Sequence, residues 1–163
     1  MAHIWEASYP SEIKWDDPLN SRSIQSILDE GTAKWPDNIL CDFMDKTFTF
    51  RETNEMVNRA AKGLKAMGVG PGVHVGLFLP NTPHYVFMFF AILRAGGRVV
   101  NYSPMYALRE ISHQIEDSET DIMVTLDLAA LYPQAAAQLE STRLKKLIVC
   151  SMSEVLPFPK NYL

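Results

Sequence analysis

Cysteine is nearly absent from this chain: two of 163 residues, Cys41 and Cys150, with no CxxC pair. That excludes a disulfide scaffold as the source of stability. Each thiol sits in an apolar run, ILCDF or LIVCS, where a free cysteine behaves as a small buried hydrophobe, and the pattern fits a reducing compartment. Histidine is also scarce, and His74, His84 and His113 fall on separate segments without ligand spacing, which argues against a metal centre. Positive charge is short: 15 Lys and Arg against 19 Asp and Glu give a net charge of −4, no polycation for nucleic acid or an acidic membrane. Long hydrophobic runs are missing as well. The one membrane-like stretch, Tyr85 to Leu93, spans nine residues. As a helix it would reach about 14 Å against about 30 Å of hydrocarbon, so it reads as a buried helix. The opening MAHIWEASYPSEIKW places Glu6, Glu12 and Lys14 where a signal peptide would need an apolar core.

No strand–Gly-x-Gly-x-x-Gly–helix order occurs, nor GxSxG, HExxH, a Walker A loop or an EF-hand loop. The glycines cluster in MGVGPGV (Gly68, Gly70, Gly72) and in ILRAGGRVV (Gly96, Gly97). Both clusters follow a predicted helix and precede a predicted strand, the reverse of a dinucleotide fingerprint. A helix carboxyl end points carbonyls outward and repels an anion. These glycines therefore read as helix stops and tight turns.

What remains is an ordinary globular composition, 47% hydrophobic and 21% charged. A chain of this length buries roughly 68–70% of its unfolded surface, enough for one domain. Residues 1–20 are rich in Trp, Pro and Asp without periodicity and read as an arm laid on a body. An amphipathic helix is predicted from Ser23 to Lys34, stopped by Pro36 and Asp37. ILCDF and TFTF, linked by Met44–Lys46, predict a β-hairpin. Thr49-x-x-Glu52 predicts a capping box at the head of a helix whose apolar stripe is Met56, Val57, Ala60, Ala61, Leu64 and Met67, ending at Gly68. The chain then alternates: strands at Val73–Leu79, Arg98–Tyr102, Asp121–Thr125 and Lys145–Cys150, with helices at Thr82–Ala95, Ala107–Ser118 and Leu128–Leu139. In the second of these helices Leu108, Ile111 and Ile115 are expected to face inward. Strands such as VHVGLFL and LIVC, short and apolar on both faces, predict a Rossmann-like, largely parallel α/β sheet with helices on both faces. A short hairpin and an extended arm precede it. The tail MSEVLPFPKNYL carries no strand or helix pattern, as expected of an incomplete subdomain of a larger fold.

In such sheets ligands bind beyond the carboxyl ends of the strands. Those ends supply the candidate site residues Asn81, Asn101, Ser103, Thr125 and Asp127, small polar groups that form no recognisable catalytic set. The pairs Asp16–Asp17 and Glu116–Asp117 are adjacent in sequence and read as solvated charge. His113, within one turn of Glu110 and Asp117, reads as a surface histidine, and His74, between Val73 and Val75 on a strand, as a packed one.

FTFRETNE, the VGPG turn, GLFLPNTP, AILRAGG and NYSPMYALREISHQIEDS stand in this order and at these gaps between about Asp45 and Val124. The series resembles the amino-terminal part of acyl-CoA synthetases of the adenylate-forming, AMP-binding superfamily, and is most similar to bacterial fatty-acyl-CoA ligases. Two departures stand out. Pro71-Gly72-Val73-His74-Val75 replaces the usual Pro-Gly-Asp-Arg-Val, and Asn101-Tyr102-Ser103-Pro104 the usual Asn-x-Asn-Pro.

The resemblance implies a parent enzyme that forms an acyl-adenylate from a fatty acid and ATP, then passes the acyl group to coenzyme A. ATP, Mg2+ and coenzyme A are thus implied for the whole enzyme, and no cofactor for this chain. The family's Ser/Thr/Gly-rich phosphate loop is not present here, so the chain alone, read as an arm (1–20) and an α/β subdomain (21–163), is expected to be inactive. Its expected partners are the remainder of the ligase chain and a fatty acid in the full enzyme, with a homodimer permitted. Nucleic acid is not among them, and no transmembrane segment is expected. The expected location is the cytoplasm, with peripheral attachment to a membrane allowed. The rival reading is a non-catalytic Rossmann-like binding or dimerisation module.

Overall fold

In the computed structural model, which describes residues 4–19 and 21–162, the chain begins with a 3₁₀ turn, Ile4–Ser8. No described residue before α1 (Gln25–Lys34) is buried. Within the arm Ile4 is 95% and Leu19 93% exposed, while Trp5, Tyr9, Ile13 and Trp15 are about half exposed. The hairpin follows as β1 (Ile39–Phe43) and β2 (Lys46–Thr49). Its loop is two residues, with φ of 52° at Met44 and 75° at Asp45, and Lys46 already pairs with Phe43. Two consecutive left-handed residues give the turn whose twist matches that of the strands, and this sets a tighter loop than the sequence implied.

α2 (Phe50–Ala66) starts on the predicted capping box. Glu52 N–H donates to Thr49 Oγ1 at 3.2 Å while Thr49 N–H donates to Glu52 Oε2 at 2.8 Å, so two otherwise orphan amides are satisfied. β3 (His74–Leu77), α3 (Pro83–Ala95), β4 (Arg98–Asn101), α4 (Leu108–Asp117), β5 (Thr120–Leu126), α5 (Tyr132–Ser141) and β6 (Lys146–Cys150) complete the alternation. Most boundaries are tighter than predicted. α5 begins four residues late because Leu128–Leu131 makes a turn, Tyr132 N–H donating back to Leu128 O at 2.9 Å, with Pro133 then in the first turn of the helix. The tail is not patternless: Met152–Val155 and Lys160–Tyr162 each form a 3₁₀ turn, which needs only a few residues and no periodicity. In α4, Ile111 and Ile115 are fully buried as expected, but Leu108 is half exposed. A first-turn position on the stripe is buried only where another element covers it.

The sheet is parallel throughout, in the order β4-β3-β5-β6. From β3 the chain crosses to one side to reach β4, then reverses across β3 to reach β5 and continues to β6. Right-handed crossovers therefore put α3 on one face and α4 and α5 on the other. α1 and α2 join α3 on its side. Arg94 of α3 fastens these three helices, donating to Asn54 and Asn58 of α2 at 2.8 and 2.7 Å and pairing with Asp29 of α1. The hairpin docks on α3 through an edge-on contact of Phe48 and Phe87, ring centres 5.3 Å apart. Val75, Leu77, Met123, Val124 and Leu126 have no exposed surface, each a burial worth about 1.5–3 kcal/mol.

The glycine pair is structural. Gly96 caps α3 at φ 90°, a left-handed position costly for any residue with a Cβ. Gly97 is needed for space, since a Cβ there would lie 2.7 Å from Val69 Cγ1 and 3.1 Å from Ile92 Cγ2. Gly76 in β3 meets the same limit under the Tyr102 ring, whose Cε2 would be 2.7 Å from an added Cβ.

Chemical denaturation of three variants tests these roles. Thr49→Ala, which removes one half of the capping box, is expected to cost about 1 kcal/mol. Gly97→Ala is expected to cost about 1–3 kcal/mol from overpacking, while Gly70→Ala, where a Cβ meets nothing within 4 Å, stays within about 0.5 kcal/mol.

Candidate functional site

Neighbouring strands whose connections leave on opposite faces open a crevice at their carboxyl ends. Here those strands are β3 and β5. The crevice is bounded by the segment from Phe78 to the first turn of α3 and by Asp127 after β5, with Ser151 after β6 alongside.

Asp127 anchors this region. Its Oδ2 accepts the Ser151 hydroxyl at 2.6 Å and its Oδ1 accepts Met152 N–H at 2.8 Å. The Ser151 hydroxyl and then the Met152 amide hold the Asp127 carboxyl below the usual carboxylate range. His84, in the first turn of α3, is 4% exposed, and neither Nδ1 nor Nε2 has a hydrogen-bond partner. Glu154 Oε2 stands 3.8 Å from Nε2, beyond hydrogen-bonding distance. Burial pushes the His84 pKa down, outweighing the attraction of Glu154 and Asp127. The Cys150 thiol is pushed up to about 11, chiefly by burial, and stays protonated. A cavity of about 260 Å³ beside the cluster is lined by Asp127, Leu128, Met152, Ser153, Leu156 and Lys160.

The other candidates fall elsewhere. Thr125 lies beneath the rim, fully buried, with its hydroxyl unpartnered. Asn101 works at the β4 end: its Oδ1 accepts the Tyr85 hydroxyl at 2.9 Å and its carbonyl accepts Gln114 Nε2 at 2.9 Å. Ser103 Oγ accepts Met105 N–H at 3.3 Å, a turn contact. Asn81 is exposed and lines a cavity of about 240 Å³ with Cys41, Phe43, Thr82 and Tyr85. The structure thus brings together no two of the five predicted residues. It gathers Asp127 with His84, Ser151 and Glu154 instead. His84 and Glu154 lie outside the strand ends that the positional rule names. The same positional rule, extended to the first turn of the next helix, reaches His84.

The remaining histidines behave simply. His113 is exposed. His74, half-buried at the opposite rim, donates from Nδ1 to Ser118 O at 2.6 Å and accepts from Arg98 at Nε2 at 3.2 Å. Tyr102 puts its hydroxyl 2.7 Å from Thr120 Oγ1 and 3.1 Å from Ser118 Oγ, a buried hydroxyl network.

Tested for a nucleotide and its metal, this set does not fit. Asp127 has both oxygens engaged, and no group of three or more His, Cys, Asp or Glu among the described residues is placed to hold a metal ion.

Residues 28–162 match the family described as AMP-binding enzyme. The chain is 34% identical over 159 residues to a long-chain-fatty-acid–CoA ligase of Bacillus subtilis, covering 98% of this chain and 28% of that protein. It is 28% identical over 165 residues to a long-chain-fatty-acid–CoA ligase of Escherichia coli O157:H7, covering 29% of that protein and all of this chain. Among solved structures it is similar to a long-chain-fatty-acid–CoA ligase from Archaeoglobus fulgidus, with a TM-score of 0.69 and 28% identity over 80% of this chain and 29% of that one. The chain therefore spans less than a third of the length of these relatives. A parallel β/α body resembling the amino-terminal domain of acyl-CoA ligases, together with a family match along most of its length, leads to one assignment: this chain belongs to the AMP-binding enzyme family.

Proposed function

We propose that this chain forms the amino-terminal α/β body of an ATP-dependent long-chain fatty-acyl-CoA ligase and does not catalyse the reaction alone. The net reaction of the whole ligase would convert a fatty acid, ATP and coenzyme A into acyl-CoA, AMP and pyrophosphate, with Mg2+ on the nucleotide. The observation that carries the reading is the match, over 98% of this chain, to a long-chain-fatty-acid–CoA ligase. The strand-end polar groups support the second half of the proposal. Asp127, Ser151 and Asn101 satisfy one another or their neighbours and leave no free set of donors to meet a developing phosphate charge.

In this reading residues 21–163 act as one body whose chemistry is completed by the remainder of the ligase, and residues 1–20 are an arm. The location is the cytoplasm, with peripheral membrane contact allowed; among the described residues no helix is long and apolar enough to cross a membrane.

The test is coupled adenylation and thioesterification by this chain, given ATP, Mg2+, coenzyme A and a series of fatty acids, with AMP release as readout. No AMP above the blank is expected, and turnover would overturn the proposal of inactivity. A rise in melting temperature with ATP or a fatty acid alone would favour the rival reading of a self-contained binding module. The exposed Ile4 and Leu19 give a pairing role for the arm its own check. Gel filtration should show a smaller particle when residues 1–20 are removed, beyond the lost mass, if the arm joins two copies.

A further inference from the structure

The turn Met152–Val155 is seated on the body at several points. Val155 is fully buried. Asp127 holds the turn's entry through Ser151 and Met152, and Lys46 Nζ donates to Glu154 O at 2.6 Å and to Leu156 O at 3.5 Å. His84 faces this turn from α3 with a ring that has no hydrogen bond at either nitrogen. A buried imidazole without partners is costly when neutral and far more so when charged. From the turn comes Glu154, 3.8 Å away on a side chain 67% exposed, so its charge is largely spent on water. From the end of β5 comes Asp127, whose oxygens are committed to Ser151 and Met152. Cys150 of β6 stays neutral. Of the cations on this side, Lys46 is engaged on the turn's carbonyls and Lys160, in the adjoining cavity, pairs with Asp45 at 3.3 Å.

We propose that His84 makes the seating of residues 151–156 depend on pH: the neutral ring keeps the turn docked, and protonation releases it. Burial holds the folded His84 pKa below its ordinary value of 6.5, against the smaller pull of Glu154, Asp127 and the Ser151 backbone. The released state, with the ring in water, then binds more protons than the docked one. Docking is therefore complete above pH 6.5 and is lost as pH falls from there through the depressed folded-state value. The inference does not depend on the ligase reading.

Hydrogen exchange of the whole 163-residue chain, expressed as protection relative to intrinsic rates, tests it at several pH values. Protection at residues 152–155 should fall on acidification to pH 5.5 in the unmodified chain and stay level in His84→Gln. The same loss in His84→Gln, or no loss in the unmodified chain, would overturn the proposal. Should His84→Gln fail to fold, NMR titration of the His84 ring decides the matter without it. A midpoint below 6.5 supports the latch, and one at or above 6.5 refutes it. Glu154→Gln provides a further check, because removing the nearer carboxylate should move that midpoint lower still, and an upward shift would contradict the assigned contacts.

Discussion

A parallel sheet has no face that water can cover. Its backbone hydrogen bonds run in a layer closed by helices on both sides, and every strand must be apolar towards both. β5 bears that constraint most heavily: it pairs with β3 and β6 at once, and six of its seven residues are buried. The rest of the body follows from it. α4 and α5 cover one face of this strand, the group of α1, α2 and α3 closes the other side of the sheet, and the hairpin seals α3 from outside. Close packing of this kind leaves specific positions only for glycine, as at Gly76 under Tyr102 and at Gly97 against Val69 and Ile92.

The same closure determines what the strand ends can do. Polar groups at the rim must find partners or face water. Asp127, Ser151, Asn101 and Tyr85 find partners among themselves and their backbone neighbours, which organises the rim without leaving a reactive set. Thr125 and His84 are exceptions, both buried and unpartnered, and His84 lies close to carboxylates that do not reach it. It sits where the change of connection direction brings α3, the end of β5 and the turn after β6 together.

The features carried by local chemistry were legible in the sequence. The capping box at Thr49 and Glu52, the left-handed stops at Gly68 and Gly96 and the alternation of β-branched strands with amphipathic helices each depend on a few adjacent residues. Segments that resemble the acyl-CoA synthetases added the larger context, and the family match agrees with them. What escaped depends on neighbours distant in sequence. Leu108 lies on the right stripe but is only half covered. Thr125 stands at a strand end yet is sealed beneath it. His84 and Glu154 are 70 positions apart in sequence, and no spacing rule joins them. Sequence order names the rim of a parallel sheet, but only strand order in space says which parts of the rim meet.

Lys46 closes a loop of 108 residues when it reaches the carbonyl of Glu154. The hairpin that carries it can pair while only its own residues exist, since β1 and β2 are joined by two residues. Its cationic end then waits for nearly the whole body to be made. During synthesis on a ribosome the hairpin, α1 and α2 would emerge and collapse early, whereas this corner can be sealed only after β6 has joined the edge of the sheet. The contact that fastens the hairpin to the turn after β6 is thus among the latest to form, and an interrupted chain would expose that corner first.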